Sequence, residues 1–362
     1  MRLLLLTTLL LAASLAACGP GDPTATPTPS PTPSATPTSI DDLPPLSLPA
    51  DESPHDYQTE WWYFNLHMSD DAGERYAMHD VVFQVQQLAS SRTLYVRQAG
   101  LAQASTGQHA ASELLRFAVQ PDTAEPGSFD ITVAASRMSG AGGETYRLIG
   151  GAGDWSYDLT LRSTAPPMAH DNDGLVDFGE AGITYYYSRP RLDVRGTLTS
   201  PDGTRQVTGL GWLDKQWGNF QPVAVYWDWA SVQLDDGTDL MVTSLRDQRQ
   251  QPIDRYVTLR RAGGDVVRIG GDEFTFEPLP EGTWRSDATG TTYSTRWRLR
   301  APAEGIDLTF EPLVVESEFA SGLLGVVYWE AGADVIDSSG ERVGQGFIEL
   351  NWARTTGPGS GQ

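Results

Sequence analysis
The residues best suited to chemistry are two aspartates set among large aromatic rings. Asp214 lies in Gly209-Leu-Gly-Trp-Leu-Asp-Lys-Gln-Trp-Gly218, and Asp228 lies in Tyr226-Trp-Asp-Trp229. These stretches hold four of the chain's eleven tryptophans and Lys215, its only lysine. A third cluster, Glu60-Trp-Trp-Tyr63, opens the region that can fold. A carboxylic acid held in apolar surroundings keeps its proton and can donate it. Electron-rich ring faces stabilise a nearby cation by about 1–2 kcal/mol each. A second carboxylate can orient water. Together these parts suit acid-catalysed hydration or isomerisation of a C=C bond, which needs a proton donor, a stabilised carbocation and a placed nucleophile.

On this reading Asp228 is the acid, and Asp214 or Glu60 is its partner. Trp61, Trp62, Tyr63, Tyr185, Trp212, Trp217, Tyr226 and Trp229 are the candidate ligand-binding rings. Each has a plainer alternative. The rings suit an aromatic β core equally well. Asp214 suits a turn. Asp228 suits a buried acid bonded to Tyr, Trp or Arg. Lys215 suits a solvent-facing turn, or a pair with Glu60 or Asp228.

Other chemistries find little support. The histidines at 55, 67, 79, 109 and 170 show no metal-ligand spacing, so no metal site is expected. Asp171-Asn-Asp-Gly174 through Glu180 half-matches a calcium loop and reads better as a polar turn. There is no Gly-x-Ser-x-Gly elbow, phosphate loop or dinucleotide fingerprint, and no cofactor is expected. A net charge of −22 argues against nucleic acid and against anionic membrane surfaces as partners.

The elements that must position these residues read as β-strands. From about residue 51 short alternating segments recur, such as Ala77–Gln86, Ile183–Ser188, Ala224–Leu234 and Gly346–Trp352, with turn residues between them. Pro201-Asp-Gly203 and Asp235-Asp-Gly237 read as hairpin turns. The pattern predicts an all-β protein with two antiparallel barrel or sandwich domains and little helix. The expected domains are 51–218 and 219–354, with a flexible tail at 355–362. Residues 1–17 read as a signal peptide with a basic start and a short apolar run. Leu15-Ala16-Ala17-Cys18 is similar to a bacterial lipobox, which implies lipidation at Cys18, the only cysteine. Residues 18–50, rich in Pro and Thr, read as a tether. The expected location is outside the cytoplasm, anchored to the membrane through the lipid. The oligomeric state is left open.

Five motifs occur in order: Glu60-Trp-Trp-Tyr63, Tyr185-Tyr-Tyr-Ser188, Gly209-Leu-Gly-Trp-Leu-Asp214, Trp227-Asp-Trp229 with Leu234-Asp-Asp-Gly237, and Tyr328-Trp-Glu330. In this the chain resembles the lipocalin-like family of carotenoid 1,2-hydratases (hydroxyneurosporene synthases) and AttH-type secreted proteins, over roughly residues 51–354. The resemblance implies two lipocalin-like domains packed together around an apolar ligand cavity. It implies hydration of an isoprenoid or polyene-like alkene. It leaves open a non-catalytic carrier of a hydrophobic small molecule, or a secreted hydrolase. The chain departs from the family at Gln216, where an acid is common.

Overall fold
A computed structural model describes residues 40–87, 92–323 and 325–353. Cys18, the signal-like run, most of the tether and the C-terminal tail lie outside the described residues. The chain divides into two units, one ending at Asp42 and one beginning at Leu43. Of the first, only the 3-10 turn Ile40–Asp42 is described. The site lies wholly in the second. Among the described residues there is no α-helix.

The first sheet is built from β1 (Thr59–Asp70), β2 (Arg75–Gln87), β3 (Arg92–Gln103), β4 (Gln108–Ala118), β5 (Ser128–Val133), β6 (Ser136–Ala141), β7 (Thr145–Ala152), β8 (Trp155–Ser163), the short β9 (Met168–Ala169) and β10 (Leu175–Asp177), and the long β11 (Gly182–Ser200) and β12 (Gly203–Phe220). Its spatial order is β4-β3-β2-β1-β12-β11-β8-β7-β6-β5, with β9 and β10 paired to β11. The sheet curls into a nearly closed barrel. The Gly153 amide in the β7–β8 turn bonds Ser112 Oγ on β4 at 2.9 Å, tying the two flanks together. The chain ahead of β1 already packs on this sheet, where the Pro44 carbonyl accepts from Tyr185 at 2.7 Å.

The second sheet follows with β13 (Val225–Leu234), β14 (Asp239–Asp247), β15 (Pro252–Arg260), β16 (Val266–Gly270), β17 (Thr275–Pro278), β18 (Thr283–Arg285), β19 (Thr292–Ser294), β20 (Trp297–Ala301), β21 (Ile306–Pro312), β22 (Glu318–Ala320), β23 (Val327–Asp337) and β24 (Arg342–Ala353). Its order is β16-β15-β14-β13-β24-β23-β21-β20-β17, with β22 on β23, while β18 and β19 pair separately. This sheet is a half-barrel.

Side-chain alternation explains the layers. On β5, Phe129, Ile131 and Val133 point inward while residues between them are exposed or partly so, as on a sheet with one wet face. β1 is instead buried over nearly its whole length. Its even residues Trp62, Phe64, Leu66 and Met68 fill the first barrel. Its odd residues Trp61 and Tyr63 join a separate cluster with Trp212, Phe220, Trp229, Leu245 and Tyr256. That cluster is the seam between the sheets. The second sheet keeps its own core of Ala230, Val232, Phe310, Trp329 and Leu350.

The sheets meet closely. A Cβ on Gly332 would lie 2.4 Å from Ala77 Cβ, so no larger residue fits there without movement. The His67 Nε2–H donates across the seam to the Gly346 carbonyl at 2.8 Å. Gln233 Nε2 likewise donates to the Gly211 carbonyl at 2.8 Å. The Arg75 guanidinium clasps Asp334 from the other sheet.

Candidate functional site: an acid-lined cavity between the sheets
A cavity of about 560 Å³ opens within the seam. The first sheet lines it with Trp61, Tyr63, Phe83, Tyr186, Asp214 and Gln216. The second lines it with Trp227, Trp229, Tyr256, Tyr328, Glu330 and Glu349. Cross-strand register sets these side chains in rows. In the first sheet Val81, Tyr63, Asp214 and Ser188 stand opposite one another on β2, β1, β12 and β11. In the second, Glu330, Glu349, Trp229, Thr243 and Tyr256 do the same on β23, β24, β13, β14 and β15. Residues directly opposite on one face are in side-chain contact range.

Two acid centres result. Glu330 and Glu349 face each other on neighbouring strands, Glu330 buried and Glu349 partly buried at the cavity wall. Burial raises both carboxyls, because a low-dielectric wall penalises charge. Repulsion adds to this: the Glu349 charge raises Glu330, and the Asp214 charge raises Glu349 against a lowering hydrogen bond from Trp227. Glu349 is pushed up to about 7, and Glu330 is held well above the usual carboxyl range. The Tyr63 hydroxyl donates a short hydrogen bond to Glu330 Oε1. His79 Nδ1 lies 3.1 Å from Glu330 Oε2. Burial drives the His79 imidazole well below its ordinary value, so it stays uncharged. The contact therefore joins neutral partners and is not an ion pair.

The second centre is Asp214. Tyr186 donates to its Oδ2 at 2.5 Å, Trp212 Nε1–H to its Oδ1 at 2.6 Å, and Ser188 to Oδ1 over a short bond. Burial raises the carboxyl and these three donors lower it, for a net value of about 6. Behind it runs a chain of donors. Thr258 lies 2.9 Å from His170 Nδ1, and His170 Nε2 lies 2.6 Å from Ser188 Oγ. With Ser188 giving its proton to Asp214, His170 must donate to Ser188 and accept from Thr258. The chain thus feeds hydrogen bonds into the Asp214 carboxylate. It does not strip a proton from Ser188, as an activated serine nucleophile requires.

The two centres differ in proton affinity and share one cavity. Near neutral pH, Glu330 holds a proton while Asp214 is mostly ionised. That divergence is what an acid and a carboxylate partner need. Between them Tyr63 and Trp229 pack edge to face at 5.6 Å, and Trp229 Nε1–H donates to Tyr186 at 2.9 Å.

Several expected site residues lie elsewhere. Asp228 lies on the face of β13 opposite Trp227 and Trp229, is not among the residues lining the cavity, and pairs with Arg246 at 2.5 Å. This corrects its role as acid: strand alternation turns its carboxyl away from the cavity. Glu60 points into the first barrel with Trp62, bound by Lys215, the His55 amide and Gln84. It is corrected on the same ground. Lys215 sits over the Trp62 ring at 3.8 Å and the Trp217 ring at 5.0 Å, buried rather than at a solvent-facing turn. Trp62, Trp217 and Tyr185 belong to that inner stack, not to the cavity wall; Tyr185 lies 4.9 Å from Trp217. Trp212 reaches the site by holding Asp214. Trp61, Tyr63, Tyr226 and Trp229 line the cavity.

Glu330, Glu349, Tyr186 and Tyr256 were missed as site residues. Glu349 had a signal: it interrupts the apolar run Gly346-Phe-Ile-Glu-Leu350, and an acid inside such a strand has a reason to be there. Among the described residues no cluster of acids, histidines or cysteines is arranged to hold a metal ion.

Two antiparallel lipocalin-like sheets, packed face to face around an acid-lined apolar cavity, define the class. The AttH-like family profile matches residues 40–352, and the chain belongs to that family. A solved AttH structure from Nitrosomonas europaea is 26% identical, covering 85% of this chain and 97% of that one at a TM-score of 0.77. Kievitone hydratase from Nectria haematococca is 18% identical and shares the fold, covering 87% of this chain and 95% of that one at a TM-score of 0.68. CghA, solved with Sch210972, shares it at 15% identity over 82% of this chain and 88% of that one, with a TM-score of 0.52. No curated protein matches the chain by sequence.

Proposed function
We propose that the protein hydrates or isomerises a C=C bond of an apolar, isoprenoid-like substrate held between the sheets. The observation that carries this reading is the Glu330–Glu349 pair, which opens on an aromatic cavity with a proton to give near neutral pH. Glu330 transfers its proton to the less substituted alkene carbon. The π pair forms the new C–H bond, and the cation develops on the more substituted carbon. The faces of Trp61, Tyr63 and Trp229 stabilise it. Water oriented by Asp214 adds to the cation, and the proton it sheds returns to the Glu330 carboxylate, which restores the site. Loss of a neighbouring C–H proton to the same carboxylate gives isomerisation instead.

Kinship in fold with a hydratase supports the hydration arm. The donor chain that ends on Asp214 speaks against a serine hydrolase. A carrier that only binds would share the cavity but show no turnover. The test is to incubate acyclic prenyl alkenes with wild type, Glu330→Gln and Asp214→Asn and to measure the mass gain of one water. Turnover should fall about 10²–10⁴-fold in Glu330→Gln with binding retained. Binding without turnover in wild type would leave the carrier.

We further propose that Cys18 carries the lipid that holds this domain outside the cytoplasm. Radiolabelled palmitate should enter the wild type and not Cys18→Ala; labelling of both would refute it.

A further inference from the structure
Most polar groups in the cavity wall are served from within the protein, but two are not. The Gln216 amide nitrogen and the Tyr256 hydroxyl are buried, belong to cavity-lining residues and have no hydrogen-bond partner. A buried donor left unmade is costly, and each such group calls for an explanation.

Their positions agree. Gln216 is two residues beyond Asp214 on the same face of β12, opposite Trp61 and Tyr186. Tyr256 ends the row that runs through Thr243 to Trp229, whose indole bonds Tyr186. Tyr186 in turn bonds Asp214. Both unpaired donors therefore flank the Tyr186–Asp214 pair from different sheets. A neutral amide is also the donor this wall tolerates. An ionised acid at 216 could not donate and would add charge beside Asp214, Glu330 and Glu349.

We infer that the substrate carries a carbonyl or hydroxyl oxygen that accepts hydrogen bonds from Gln216 Nε2 and the Tyr256 hydroxyl beside Asp214, so that the cavity selects an oxygenated unsaturated molecule over a pure hydrocarbon polyene. This rests on the reading of the cavity as a site for an apolar alkene. A hydrocarbon would fill the aromatic wall and leave both donors unpaired. Discrimination of this kind is large when a site is built to bond an oxygen.

The test compares geranylacetone with the hydrocarbon of the same skeleton, its ketone replaced by a methylene. Binding is read by tryptophan fluorescence in wild type, Gln216→Leu and Tyr256→Phe. The ketone should bind wild type about tenfold more tightly than the hydrocarbon. Each variant should shrink that ratio while keeping hydrocarbon affinity. Tyr256→Phe preserves ring volume, so it remains informative if Gln216→Leu folds poorly. Equal affinity for the two probes in wild type, or an unchanged ratio in the folded variants, overturns the inference and leaves the cavity reading intact. Binding of neither probe overturns both.

Discussion

At the scale of the residue, the chemistry turns on which carboxyls keep a proton. Glu349 carries the clearest pH signature. Its folded value, about 7, exceeds the unfolded value of 4.5, so the folded state binds that proton more tightly. Its contribution to stability is fully present below pH 4.5 and is lost as pH rises through 7. Glu349→Gln should therefore gain roughly 2–3 kcal/mol over wild type at pH 8 and little at pH 4. Urea melts at the two pH values measure this; an equal effect at both would contradict it. The same titration bears on turnover. As pH rises through about 7 the pair takes on charge, and alkene hydration should decline on that limb. Asp228 gives the contrast. Asp228→Asn should leave turnover within about twofold and cost about 1–3 kcal/mol by weakening the Arg246 pair. A collapse of turnover in that variant would place the acid where the sequence reading first put it.

At the scale of the element, the decisive property is that several strands are buried on both faces. Strand segments, turns and the two aromatic-rich stretches were legible, because alternation and Asp-Gly turns are local signals. The all-β class followed from them, while the family rested on the resemblance of five ordered motifs. What could not be read was which face of β1, β12 or β13 meets the cavity. On β1, Trp61 and Tyr63 look inward to the seam while Trp62 and Glu60 look into the barrel, and nothing local separates the two sets. A one-residue change of facing moved Glu60 and Asp228 off the site and left Asp214 on it. The Glu330–Glu349 pair was illegible for another reason. It exists only because β23 and β24 place two distant residues opposite each other. The Lys215–Glu60 pair shows the structural use of charge on the hidden face. Lys215→Met removes the partner of a fully buried carboxylate and should cost about 3–5 kcal/mol. Thermal unfolding tests this; a melting temperature like that of the wild type would show Glu60 satisfied by His55 and Gln84 alone.

At the scale of the whole molecule, the two sheets act as jaws that are already closed. Tyr63 from one sheet bonds Glu330 from the other, and Trp229 returns a bond to Tyr186. The site is thus preorganised by the same contacts that hold the sheets together. A ligand in the seam should stabilise both sheets at once. At a concentration one hundred times its dissociation constant it should add about 2.7 kcal/mol, seen as a single cooperative transition shifted upward. Two separate transitions, only one of them shifted, would place the ligand within one sheet.

In the proposed reaction Glu330 delivers a proton to an alkene carbon. Deuterium transfer from solvent tests it most directly. An alkene probe such as geranylacetone is incubated in D2O with the protein, and the product is analysed by mass spectrometry and NMR. Wild type is expected to yield a product with one new C–D bond at the less substituted alkene carbon, and Glu330→Gln to yield essentially none. Equal deuteration by both proteins, or hydrated product without a C–D bond, would contradict it.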